Sequence, residues 1–260
     1  MNNRFVFLSF DVEEFDLPLE YGHSISNDEQ MQLGYAGLES ISPLLNESYI
    51  ETTLFTTANF AQYYPEKIKL LSQKHEIASH SFYHSCFEVN DLITSKTTLE
   101  LIVEKPILGL RMPRLRKVDV KDIINAGYKY DSSINPTLIP GRYNNLNVSK
   151  TIYTENNLVR VPTAVSPTLR IPLFWLSFKN FSYKFYKNLA LATLKKYGYL
   201  NLYFHPWEFT DIAHYNCLPN YVKKPCNTEL LDKLNKLVND LKSEAEFVSI
   251  ENYLKNKSLI

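Results

Sequence analysis

Residues 5–14 read FVFLSFDVEE, from Phe5 to Glu14. Phe5 to Phe10 is apolar except for Ser9, and the acids Asp11, Glu13 and Glu14 follow at once. An apolar run of this length ending in acid reads as a strand followed by a polar loop, and it is too short to cross a membrane. Short apolar or β-branched runs recur at 51–57, 75–79, 106–110, 129–134, 158–161, 199–204 and 247–250. Between them lie stretches with apolar residues at helical spacing: 34–48, 59–73 broken by Pro65, 90–104, 117–126 closed by Gly127, 180–196 closed by Gly198, and 228–241. Strands alternating with helices predict βαβ units and a parallel sheet. Seven or so such units in 260 residues predict an α/β chain folded as a distorted (β/α) barrel with about seven parallel strands. No linker or repeat divides it, so residues 1–260 are expected to form one catalytic domain. The polar stretch 144–157 reads as a surface loop.

Composition excludes several classes. Lys plus Arg is 28 and Asp plus Glu is 28, a formal net charge of zero. That balance argues against a nucleic-acid binder built on a basic surface and against a polybasic membrane anchor. Three cysteines, Cys86, Cys217 and Cys226, make an odd number without metal-type spacing, which argues against a disulfide framework and for a reducing compartment. The N-terminal apolar run is broken by Asp11, so no signal peptide and no transmembrane segment is expected, and the expected location is cytoplasmic. A homo-oligomer is compatible with the sequence, which does not fix the assembly. Aromatic residues reach 13% against only 7 glycines, a skew that suits either core filler or the lining of a groove.

In a parallel barrel, catalytic groups stand at the C-terminal ends of strands. After the first strand come Asp11, Glu13 and Glu14; after the third, His80 and His84; after the fourth, Arg111 and Arg114; with the fifth, Asp131; after 199–204, His205, Trp207 and Glu208. His80 and His84 are four apart, so on one helical turn both imidazoles would face the same way, as a metal requires. Either acid or histidine pair alone is as readily a cap or a core group. Two histidines and a carboxylate together complete a facial set with open positions for water and substrate. Asp11 and Glu13 must both reach that set, and a bend at the strand end is expected to bring them there. His75 and His214 read as structural. His23 and Asp16 lie on the loop after the first strand, within reach of the site. Glu14 and Glu208 are acids without an assigned role, either of which could replace Glu13 as a ligand.

Taken in order, SFDVEEF (9–15), HEIASHSFYH (75–84), LRMPR (110–114), YDSSINP (130–136) and YFHPWEF (203–209) resemble the NodB-like polysaccharide deacetylases, carbohydrate esterase family 4. The resemblance spans most of the chain and is closest to the branch with a DVE first motif, which contains peptidoglycan-deacetylase-like and allantoinase-like members. It implies the NodB homology barrel, one divalent metal ion, usually zinc, and removal of an N-acetyl group from a carbohydrate substrate. Carried over by position, Asp11 is the general base, Glu13, His80 and His84 are the metal ligands, and Arg111 orients the base. His205 is the catalytic acid, and Asp131 holds and polarises it. Arg114 stands where a backbone N–H of the family stabilises the tetrahedral intermediate, and Trp207 walls the acetyl pocket or belongs to the core. Val12 replaces the second acid of the common Asp-Asp pair, which moves the ligand role to Glu13.

Two other readings compete. The DVE variant admits a metal-independent hydrolase of another linear or cyclic amide, as in allantoinase-like relatives. The Glu at position 13 and the few glycines admit a non-catalytic carbohydrate-binding barrel. The paired histidines weigh against the former and the retained Asp11 and His205 against the latter.

Overall fold

The computed structural model describes residues 4–260. Its strands are β1 (Phe5–Val12), β2 (Thr53–Thr56), β3 (Glu76–Ser79), β4 (Gly109–Leu110), β5 (Tyr130–Asp131), β6 (Leu138–Ile139), β7 (Tyr143–Asn144), β8 (Tyr153–Glu155), β9 (Leu158–Arg160), β10 (Tyr199–Phe204) and β11 (Glu246–Phe247). The main sheet runs β10-β1-β2-β3-β4-β5-β9-β8, and β11 pairs with the lower part of β1. Every pairing in it is parallel except β8 with β9. The seven strands from β10 to β9 therefore form the expected distorted barrel. Among the described residues no β-ladder joins β9 to β10. The seam is crossed instead at Asn201, whose carbonyl accepts from Ala164 N at 2.9 Å and whose side chain donates to Pro162 O at 3.0 Å.

Alternation along β1 sorts its side chains. Val6, Leu8, Phe10 and Val12 enter the large core beneath the helices. Phe7 turns into the barrel with Phe55, Ala78, Tyr130, Val159, Val161 and Tyr199. A strand buried on both faces reads as a continuous apolar run, which is why these strands were legible. The helix Asn227–Lys242 adds Leu230, Leu234, Leu237, Val238 and Leu241 to the outer core. Each such side chain is worth about 1.5–3 kcal/mol on burial.

The helix Asn27–Asn46 starts earlier than expected because Ser26 caps it, accepting from Glu29 N at 3.2 Å. Two glycines in it allow backbone contact with the strand ends. A Cβ at Gly34 would lie 2.4 Å from Glu13 O, and one at Gly37 would lie 2.1 Å from Pro206 O. Pro65 splits the expected 59–73 helix into Ala58–Tyr63 and Pro65–Leu71. Asp119 caps the next helix and delays it to Val120–Asn125. The last strand stops at Phe247, because Ser249 caps a helix over Ile250–Asn256.

The stretch 144–157 is more than a loop. It leaves the small β6–β7 hairpin and enters a second hairpin, β8–β9. Asn156 (φ 50°) and Asn157 (φ 70°) make the two-residue connection of the latter in left-handed geometry, which asparagine tolerates best after glycine. No helix among the described residues is long and apolar enough to cross a membrane. All three cysteines are free.

Candidate metal centre and its cleft

The C-terminal ends of β1 and β3 meet at a buried cluster. Glu13, His80 and His84 each offer one atom, and these atoms lie within 4.8 Å of one another. Glu13 Oε2 stands 3.0 Å from His80 Nε2 and 3.3 Å from His84 Nε2. Asp11 and Glu13 need no special bend to share this side, because residues two apart in extended chain point the same way. The histidine pair is not on a helical turn. Residues 80–84 are irregular, and Ser81 takes φ 66°. Its loop is tied down by Glu14, which accepts from His84 N at 3.0 Å, Thr57 Oγ1 at 2.7 Å and Asn59 Nδ2 at 3.2 Å. Glu14 thus positions His84 and spends its own oxygens on the loop.

The donor set fits a divalent cation. His80 Nδ1 lies 2.7 Å from Arg111 O and His84 Nδ1 lies 2.6 Å from Asp16 Oδ1. These acceptors put the ring protons on Nδ1 and leave Nε2 free on both histidines, the usual support for ligating imidazoles. Trp207 Nε1 donates to Glu13 Oε1 at 2.9 Å, which leaves Oε2 as the free oxygen. Glu13 Oε2 and His80 Nε2 are buried and lack any hydrogen-bond partner. Buried polar atoms are seldom left unmatched, and here two of them converge. Burial alone would raise the Glu13 carboxyl, but the imidazoles of His84, His205 and His80 hold it far below the usual carboxylate range. Burial would likewise strip the proton from His84, yet the charges of Glu13 and Asp16 push it up to about 9. The cluster attracts positive charge, as protons or as a cation.

Beside it sit two further pairs. Arg111 is fully buried and reaches Asp11 Oδ1 at 2.6 Å, Ser9 Oγ at 2.9 Å and Ser132 Oγ at 3.1 Å. Its guanidinium lies 4.0 Å from the centre of the Phe55 ring, so it is fixed on all sides. His205 turns Nε2 toward the cleft, 3.9 Å from Asp11 Oδ2 and 4.0 Å from Glu13 Oε1. Its ring stacks on Trp207 at 4.8 Å, and Trp175 meets it edge-on at 5.1 Å.

The expected partner of His205 is corrected. His205 Nδ1 lies 3.0 Å from Glu208 Oε1, not against Asp131, and the His205 backbone N–H donates to the same oxygen at 2.8 Å. Pro206 begins a tight 3₁₀ turn over Pro206–Phe209 that folds Glu208 back onto the histidine. Glu208 is itself buried against Lys179, with Oε2 3.6 Å from Nζ. Burial lowers the pKa of His205, but Glu13, Glu208 and Asp11 outweigh it and raise the value overall. Asp131 cannot join this group, because Tyr130 before it fills the barrel interior and alternation turns Asp131 to the opposite face. There its register partner Arg160 meets it, Nη2 to Oδ2 at 3.3 Å.

Arg114 lines the cleft in a left-handed conformation (φ 56°). Its side chain bridges Asp16 at 3.1 Å and Glu20 at 2.6 Å, clamping the loop that supports His84. Trp207 lines the same cleft with Trp175, Phe174, Tyr143, Tyr21 and Tyr221, so part of the aromatic excess forms walls. His23 and His75 stay outside, and His75 packs against Thr52. Asp16 and Glu208 had no assigned role in the sequence. For Glu208 a signal existed in the i, i+3 spacing of HPWE, with proline opening the turn; for Asp16 only proximity spoke.

No protein-family model matches the chain, and no curated protein sequence matches it. Solved structures do. A Mycobacterium smegmatis structure described as a polysaccharide deacetylase superposes with a TM-score of 0.65 at 18% identity, over 97% of this chain and 89% of that one. A Pseudomonas aeruginosa PAO1 structure so described gives 0.65 at 13% identity, over 95% and 87%. An allantoinase structure, Puue, gives 0.62 at 14% identity, over 95% and 87%.

Proposed function

We propose that this chain, which has the fold of the polysaccharide deacetylases, is a metal-dependent hydrolase that removes the N-acetyl group of an amino sugar. The reading rests above all on one observation: Glu13, His80 and His84 present free ligand atoms beside an arginine-held aspartate and a carboxylate-held histidine. Glu13, His80 and His84 would hold a divalent ion, zinc by the nature of the donors. Such an ion, when bound, supplies Lewis acidity that polarises an amide carbonyl and acidifies water.

The remaining work belongs to the chain. Arg111 fixes Asp11 through Oδ1 and leaves Oδ2 facing the cleft, where it takes a proton from the attacking water. His205 holds its proton on the Nε2 that faces Asp11 and Glu13, and passes it to the departing amine nitrogen. Glu208 fixes the His205 tautomer from behind and stabilises the imidazolium. Trp207 positions Glu13 and walls the cleft beside His205. The tryptophans and tyrosines of the cleft suit the apolar faces of a sugar ring. Asp131, on the other face, stabilises the barrel wall.

The test is metal content and acetate release together. The purified chain should hold about one divalent ion and release acetate from an N-acetylhexosamine glycan. His80→Ala should lose both. An unchanged metal content and rate in His80→Ala would overturn the reading. The likeness to an allantoinase structure supports a second reading, hydrolysis of another amide on the same barrel. Full activity on a cyclic amide after chelation would favour it.

A further inference from the structure

A second cavity of about 660 Å³ lies against the cleft and shares Arg114, Leu115, Arg142 and Tyr143 with it. Four of the chain's seven arginines line this cavity, Arg114, Arg116, Arg142 and Arg160, together with Lys117. In a chain of zero net charge that is a local concentration. Two of these cations are matched. Arg114 is bound by Asp16 and Glu20, and Arg160 lies near Asp131 at 3.3 Å and Glu155 at 3.7 Å. Arg116, Lys117 and Arg142 have no carboxylate within ion-pair distance among the described residues, and the two acids of the lining, Asp131 and Glu155, both stand against Arg160.

Arg160 supplies an independent sign. It is 7% exposed, and while its Nη2 faces Asp131 and its Nε faces Glu155, its Nη1 is buried without a partner. A buried guanidinium nitrogen with idle donors is unfavourable until an acceptor arrives. The floor beside it is apolar, with Val118, Ile123 and Val148.

We infer that this cavity is an anion subsite for the phosphate of a phosphorylated N-acetylamino sugar whose acetamido group lies at the metal centre. This rests on the deacetylase reading of that centre. Arginine forks match phosphate oxygens in pairs, and three unmatched cations balance a phosphate dianion or a pyrophosphate better than a single carboxylate. The shared wall puts the phosphate next to the sugar, as in a sugar 1-phosphate. A nucleotide carrier and a lipid carrier both present that group.

Arg116→Ala/Lys117→Ala removes two exposed cations that line only the second cavity, so the barrel should fold unchanged. Binding is read first, with inorganic pyrophosphate at low salt by calorimetry and thermal shift. Wild type should bind, and the double variant should bind at least about tenfold more weakly. Turnover is read second. An N-acetylhexosamine 1-phosphate should show at least about a tenfold lower KM than the neutral sugar in wild type only, while the double variant turns over the neutral sugar as wild type does. Nucleoside-diphosphate-linked and polyprenyl-phosphate-linked sugars then separate the two carriers, and a preference for either over the neutral sugar supports the subsite. If neither sugar is deacetylated, the deacetylase reading fails and pyrophosphate binding still decides the subsite. Absent pyrophosphate binding, or equal binding by both proteins, overturns the inference.

Discussion

Replacing Glu208 by Gln separates two candidate partners of His205, the proposed acid. The substitution keeps the shape of the side chain but removes the charge 3.0 Å from His205 Nδ1. A hydrogen bond to a charged group is worth about 1.5–3 kcal/mol net. If Glu208 stabilises the imidazolium, kcat for acetate release should fall by about 10- to 200-fold. Stability should fall as well, because Lys179 is 3% exposed and would lose its only carboxylate among the described residues, a loss of about 3–5 kcal/mol for a buried pair. Glu208→Gln/Lys179→Met removes the stranded charge and should restore the urea midpoint without restoring kcat. Asp131→Asn is the matching control on the other face of the barrel, and its kcat per folded molecule should stay near wild type. The reasoning is refuted if Asp131→Asn lowers kcat as much as Glu208→Gln does, or if Glu208→Gln is as fast as wild type.

Arg111→Met should be destabilised by about 3–5 kcal/mol in urea, because Asp11 would be left buried with its counter-charge gone, and Arg111→Lys should recover only part of this. Glu76, at the opposite end of the barrel, is buried and near Glu251, which together raise its pKa to about 7 despite hydrogen bonds from Thr53 and Tyr130. A raised carboxyl contributes stability that is fully present below the unfolded value of 4.5 and is lost as pH climbs to about 7. Glu76→Gln should therefore flatten the fall in urea midpoint between about pH 4.5 and 7, a difference of at most about 3 kcal/mol, and an unchanged slope would rule the residue out. Gly37→Ala should cost about 1–3 kcal/mol and reduce turnover, since its methyl would strike the Pro206 carbonyl; a variant with wild-type melting and rate would show that the contact yields freely.

The barrel was legible because its strands are buried on both faces and read as short apolar or β-branched runs, with acids and histidines gathering past several of their C-terminal ends. Phe5–Val12 announces both the strand and the acids beyond it. The convergence of Glu13, His80 and His84 was legible for the same reason, since they stand just past the ends of β1 and β3. What failed was orientation. Asp131 belongs to a strand of two residues, and only its pairing with β9 fixes which face it takes. The His80–His84 spacing suggested a helical turn, but a left-handed Ser81 and the grip of Glu14 achieve the same convergence in a loop. The hairpin within 144–157 was hidden because its turn uses Asn156-Asn157, where glycine would have given a stronger signal.

Gly34 and Gly37 also bear on how the molecule holds together. Each weakens the helix Asn27–Asn46 by about 0.5–1 kcal/mol relative to alanine, so that helix depends more on docking than on its own propensity. What it docks against, backbone to backbone, is the Glu13 carbonyl and the Pro206–Trp207 peptide. The helix and the two loops that carry Glu13 and His205 are thus one cooperative unit in local unfolding. Amide hydrogens of all three should exchange with a common opening free energy, and a bound ion or sugar that slows exchange at Trp207 should slow it equally along the helix.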